Sequence, residues 1–278
     1  MLIASAVFHL SLEELNSTLN DFSNPHALAV LKIIQVITTI GTFILPAFFL
    51  AWLFEGRPVH ALKLDRLPGS FSVTLVILVI ITCVPLINFL GELNSNMKLP
   101  GMLNDLENWM REKEDQAAGL TKLFLEMNSW SALLFNLFMI ALLPAIGEEL
   151  IFRGLIQRIF ADWFKNKHAG IWISAFLFSA MHLQFYGFIP RFMLGMMLGY
   201  LFEWSGSLFL PMLAHFMNNA MAVMFTYLMN HRMTQLNADT IGTQSGETPV
   251  LIISSLLTIV LLALIYKIEA KRRLQSIE

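Results

Sequence analysis

The sequence of 278 residues predicts an all-α fold, a polytopic transmembrane helical bundle of about seven spans, with about six and eight as its bounds. Three observations carry this expectation. Apolar residues make up 56% and charged residues only 14% of the chain, against somewhat under half and about a quarter in soluble domains. The apolar residues, including 23 Phe and 16 Met, run on without interruption over lengths near the roughly 20 residues that cross hydrocarbon. These runs lack the two-residue alternation of lipid-facing strands, so helices rather than a barrel follow.

Residues 1–26 contain no Lys or Arg, so they lack the basic opening of a cleavable signal peptide and are expected to belong to the mature chain. Stretches of near-spanning length follow at 33–54, 71–91, 127–147, 169–190, 204–230 and 248–266. A shorter one, 189–203, carries Gly195 and Gly199 at the small-xxx-small spacing that lets helices approach closely. Between the second and third spans, Met102, Leu103, Leu106, Trp109 and Met110 fall at helical spacing within 102–126, which predicts an amphipathic helix lying on the membrane surface. Basic residues sort by loop. Arg57, Lys63 and Arg66 follow the first span, Arg158, Lys165 and Lys167 the third, and Lys267, Lys271, Arg272 and Arg273 the last. Basic loops favour the cytoplasm, so the N-terminus is expected outside and the C-terminus inside. The chain is expected to divide into N-terminal helices with an outer loop (1–126), a core (127–230) and a last helix with a basic tail (231–278).

Net charge is −2, which speaks against nucleic acid as a partner; membrane lipid is the expected surrounding, in a bacterial inner membrane. The single cysteine, Cys83, sits inside an apolar run and excludes both a disulfide framework and a Cys-based zinc site.

Three polar clusters remain inside or at the edge of apolar helices, where a charged side chain costs about 2.5–3.5 kcal/mol. The first is Glu148-Glu149-Leu-Ile-Phe-Arg153, reached through Pro144 and Gly147, which are expected to interrupt the helix. Glu149 and Arg153 lie one turn apart as an acid-before-base pair, while Glu148 projects about 100° away and stays free. The second runs from Phe178 to His182, a histidine deep in an uncharged stretch. The third, His215-Phe-Met-Asn218-Asn219, puts His215 and Asn219 on one helix face with Asn218 some 60° off it. Taken singly, each has a plain structural explanation: an interfacial ion pair, or polar glue between helices. Together they provide a carboxylate and a histidine to activate water, and a second histidine with an asparagine to hold a tetrahedral oxyanion, which is the equipment of amide hydrolysis. No Ser-centred nucleophile motif and no HExxH are present. The same groups would also serve a proton or ion carrier, or an immunity-type binder, but no repeated half or matched pair of broken helices supports transport.

GluGluxxxArg, PhexxxHis and HisxxxAsn, in this order on successive apolar helices, resemble the CAAX protease and bacteriocin-processing (CPBP, Abi) family of intramembrane proteases, whose eukaryotic members include the Ras-converting CAAX prenyl endopeptidase. The resemblance covers roughly residues 127–230. It implies an endopeptidase cutting near a membrane-associated peptide or protein segment, prenylated or C-terminal in eukaryotic members. It further implies Glu148 as base, His182 as its partner in activating water, His215 and Asn219 as oxyanion stabilisers, and Glu149 and Arg153 as support, with Asn218 nearby. The family is often described as metalloproteases. Glu148, His182 and His215 would be the ligands of a divalent ion such as Zn2+, but no close His-x-x-x-His spacing favours one, and a metal-free site is the preferred expectation.

Overall fold

A computed structural model describes residues 25–275, so the expectation about the opening stretch lies outside the described residues. These residues form nine helices and no strand: α1 (Ala27–Glu55), α2 (Pro58–Ala61), α3 (Ser70–Ser95), α4 (Asn104–Phe124), α5 (Trp130–Trp163), α6 (Lys167–Ala180), α7 (Phe188–Ser205), α8 (Phe209–Asn230) and α9 (Thr248–Gln275). Among the described residues, five helical segments are long and apolar enough to cross a membrane: α1, α3, α5, α7 with the short turn before it, and α9. Large apolar side chains stay exposed along their outward faces, as with Ile252, Ile253, Leu256 and Ile259 of α9. Such continuous apolar surface suits lipid rather than water and marks the chain as a membrane protein.

Two expected spans differ. The stretch 169–190 is not one helix: α6 stops at Ala180, Leu183 adopts a left-handed φ of 52°, and the chain turns through Phe185–Gly187 into α7. At 14 residues, α6 is about 21 Å long, short of the ~30 Å hydrocarbon core. The third expected span, 127–147, continues instead to Trp163 as the 34-residue α5. Pro144 and Gly147 do not interrupt it. A π-helical turn, Leu137–Leu142, absorbs the proline, and a second, Phe152–Ile156, follows one α-helical stretch later. Proline cannot bond the carbonyl four residues back, which here is Ile140; Asn219 Nδ2 donates to that oxygen at 3.3 Å. In the second wide turn, Ser174 Oγ donates to the Phe152 carbonyl at 2.8 Å. Side chains of neighbouring helices thus take up carbonyls at both irregular turns, as burial in lipid requires.

The core is assembled around α7 and α8. Leu75, Val76, Val79 and Ile80 of α3 pack with Leu198 and Leu201 of α7, Leu210 of α8, and Ile265 of α9. A second cluster joins Ala47 and Ala51 of α1 to Leu150 of α5 and Phe202 of α7. The small-residue spacing on α7 does what it predicts. A Cβ at Gly195 would stand 3.1 Å from Ala175 Cβ of α6, and one at Gly199 would stand 2.8 Å from Gln157 Oε1 of α5. Both glycine carbonyls are acceptors: Gly195 takes Arg153 Nη2 at 2.9 Å and Gly199 takes Gln157 Nε2 at 3.1 Å. Two polar side chains one turn apart on α5 thereby bond two carbonyls one turn apart on α7.

Gly170 fixes the start of α6 against the end of α5, where a Cβ would meet the Gln157 carbonyl and stand 2.8 Å from the Ala161 backbone nitrogen. Backbone cannot yield as a flexible side chain can. Gly170→Ala is expected to cost about 1–3 kcal/mol, read as a lowered thermal unfolding temperature in detergent; unchanged melting would show that the two helices slide apart freely.

Candidate active site

The three motifs converge. Glu148, His182, His215, Asn218 and Asn219 line one cavity of ≈640 Å³. They come from three local contexts: Glu148 from the α-helical stretch between the two wide turns of α5, His182 from the turn just after α6, and the other three from the middle of α8. His182 therefore sits at a helix end, not within a span as the sequence suggests.

Glu149 and Arg153 stand behind the cavity, both fully buried. Arg153 Nη1 donates to Glu149 Oε1 at 2.8 Å, and its guanidinium carbon lies 4.8 Å from the centre of the Phe178 ring. The interfacial ion pair, one explanation for this cluster, is thereby replaced by a wholly buried one. Glu149 does more than hold Arg153. The same Oε1 accepts from His215 Nδ1 at 2.9 Å, a contact between helices that the sequence did not foretell. With Nδ1–H given to a carboxylate, the His215 ring is oriented and its Nε2 is turned toward Glu148, 3.8 Å from Oε2. Glu148 Oε2 is buried without a hydrogen-bond partner among the described residues.

His182 Nδ1 lies 2.8 Å from the Phe178 carbonyl. A carbonyl only accepts, so Nδ1 carries the proton and the neutral ring keeps its lone pair on Nε2. Asn219 gives one Nδ2 hydrogen to Ile140 and accepts from Asn218 Nδ2 at 3.1 Å, leaving its second amide hydrogen free to donate. Phe178, buried, meets the His182 ring at 5.3 Å and the His215 ring at 5.7 Å between centroids, edge to face with both. It is an apolar spacer between the two imidazoles and beneath Arg153, a role the PhexxxHis spacing did not reveal.

Among the described residues, no three His, Cys, Asp or Glu side chains are grouped to hold a metal ion. Glu148, His182 and His215 share the cavity, and since Nδ1 of each histidine is engaged, Nε2 is the nitrogen available on either ring.

The sequence also missed two parts of the cavity. Arg191, in the first turn of α7, lines it together with Gln184; a lone arginine in an apolar stretch was the signal. The other is α4, the expected surface helix. None of its residues is buried, yet Ala117, Leu120, Thr121 and Phe124 form part of the cavity wall. It is fastened at both ends. Trp109 meets Phe185 at 5.6 Å, Arg111 lies 4.5 Å over the Tyr186 ring, and the Tyr186 N–H donates to Glu114 at 3.2 Å. Arg111 and the Leu99 amide hold the Glu107 carboxyl below the usual carboxylate range. At the far end, Lys32 donates to Asn136 at 3.0 Å, and Asn136 donates to the Phe124 carbonyl at 2.5 Å.

Comparison with known proteins agrees with the motifs. Residues 130–221, roughly a third of the chain, match the family described as "Type II CAAX prenyl endopeptidase Rce1-like". The chain is also 34% identical over 89 residues to "Uncharacterized protein YpbD" of Bacillus subtilis (strain 168), a stretch covering 31% of this chain and 42% of that protein. The chain therefore spans less than half the length of this curated relative. No solved structure matches. Over residues 130–221, the segment that holds every motif, the resemblance read from the sequence is borne out: the chain matches the Rce1-like family there.

Proposed function

We propose that the protein is an intramembrane endopeptidase that hydrolyses a peptide bond in or near a membrane-associated segment of its substrate, using water activated by Glu148 and His182. The observation that carries this reading is one shared cavity lined by a buried carboxylate whose Oε2 makes no hydrogen bond among the described residues, two histidines oriented through Nδ1 and an asparagine with a spare donor.

In this reading Glu148 takes one proton from water, the O–H that remains donates a hydrogen bond to the Nε2 lone pair of His182, and the resulting hydroxide attacks the amide carbon. The developing oxyanion receives the free Nδ2–H of Asn219 and Nε2–H of His215. Because Nδ1–H of His215 already goes to Glu149, His215 donates from Nε2 only as the imidazolium, whose charge Glu149 is placed to stabilise. Glu148 then returns its proton to the leaving nitrogen. The surrounding chain is proposed to be a multi-pass protein of a bacterial inner membrane with its N-terminus outside, in which 127–230 is the catalytic core and 1–126 contributes the α4 wall.

Purified chain in proteoliposomes, offered a library of membrane-anchored peptides, is expected to cleave some of them. Asn219→Ala is expected to lower kcat by about 10²–10³-fold with a much smaller change in KM; a pure KM effect would place Asn219 in binding instead. Glu148-dependent proton flux under a pH gradient, with no peptide cleaved, would overturn the protease reading in favour of a carrier.

A further inference from the structure

Arg191 has no part in the chemistry just described, yet it is the one lysine or arginine among the described residues that line the cavity. It is held firmly. Nη1 donates to the Gln184 carbonyl at 3.0 Å and Nη2 to the Gln184 side-chain Oε1. Gly187 gives it room, since a Cβ there would come within 2.7 Å of Nη2. A guanidinium carries five N–H donors, so Nε–H and one hydrogen on each outer nitrogen remain without a partner among the described residues. No carboxylate among them lies within ion-pair distance of Arg191. Glu114 and Glu148 act on it only through space.

This differs from Arg153, which is fully buried where Arg191 is half-buried. Arg153 is consumed by Glu149, the Gly195 carbonyl and the Phe178 face, and it supports the helix packing. Arg191 is anchored from one side by its own turn, and its remaining donors form a planar fork in the cavity that holds Glu148. Such a fork matches a carboxylate with two parallel hydrogen bonds, and a half-buried cation without an ion-pair partner among the described residues gains from one that arrives with the substrate.

We propose that Arg191 is the specificity-determining residue of the cavity, pairing with a carboxylate of the peptide substrate and so setting where the scissile bond lies relative to Glu148. The proposal rests on the endopeptidase reading for its substrate, but it is tested by binding alone. The Glu148→Gln chain, which is expected not to cleave, is reconstituted in phosphatidylcholine vesicles. Its affinity is measured for one dansyl-labelled apolar heptapeptide in three forms: a free C-terminal acid, a C-terminal amide, and an amide with one internal glutamate. The acid, the glutamate form, or both are expected to bind at least ~10-fold more tightly than the plain amide, and the preferred form identifies the carboxylate's source. Arg191→Gln in the same background is expected to remove the preference, and Arg191→Lys to keep part of it. Equal affinity for all three forms, or a preference that survives Arg191→Gln, overturns the proposal. In the parent chain, Arg191→Gln is expected to raise KM for the carboxylate peptide and leave the amide unchanged; a fall in kcat shared by all peptides would make Arg191 a holder of Glu148 instead. Carboxylate preference in binding with no cleavage by the parent chain would leave Arg191 as an anion-reading residue and remove the protease reading alone.

Discussion

Glu148→Gln is expected to reduce peptide cleavage by about 10²–10⁴-fold, the contribution of a positioned general base, while leaving the fold as stable as the parent or more so. The second half of that expectation separates a catalytic carboxylate from a structural one. Glu148 Oε2 makes no hydrogen bond among the described residues, and its nearest group of opposite character is His215 Nε2 at 3.8 Å. A buried charge with so little compensation weakens the folded state, and an amide of the same shape relieves the desolvation. Cleavage of a membrane-anchored peptide and thermal unfolding in detergent, measured on the same preparation, check both halves. Full activity in the glutamine variant would end the proposed mechanism. Lost activity with a lowered melting temperature would make Glu148 a structural residue.

Arg153→Met is expected to have the opposite profile. Its guanidinium is fully buried, and removing it breaks a buried ion pair and leaves the Glu149 carboxylate with the His215 ring as its partner, a loss of about 3–5 kcal/mol. The Gly195 carbonyl and the Phe178 face lose their partner as well. Adding Glu149→Gln should recover part of this stability, because a neutral amide does not need the guanidinium, but activity should stay low since His215 loses the carboxylate that orients it. Unfolding temperatures of the single and double variants test the coupling. Simple addition of the two losses would show that Glu149 and Arg153 do not stabilise the fold as a pair.

Much of the fold was legible because lipid leaves few choices: continuous apolar runs mark helices, and six of the expected stretches correspond to α1, α3, α5, α7, α8 and α9. The break between α6 and α7 was not. Residues 169–190 contain no Asp, Glu, Lys or Arg, and the turn depends on a left-handed leucine at position 183 that no local rule would select. The wide turns of α5 were equally hidden, since Pro144 announces only that the α pattern must change, while Asn219, 75 positions later in the chain, makes the change affordable. At the site, the residue types and their faces could be read from spacing along single helices. What spacing along one helix cannot show is which side chains meet across helices. Hence the bond from His215 to Glu149, the Phe178 spacer, and α4 as a cavity wall emerged only in three dimensions. Arg191 was visible as a lone cation in an apolar stretch and was passed over.

The two wide turns of α5 make chain length, more than side-chain identity, the strict variable around Glu148. A π-helical turn holds one residue more than an α-helical turn, so losing a single residue from Leu137–Leu142 would let that turn tighten and swing everything beyond it by about 100°. Both carboxylates would then aim at a neighbouring helix or at lipid with every catalytic side chain still present. Descendants of this sequence can drift in composition along α5, but an insertion or deletion there rotates the reagent out of its vessel.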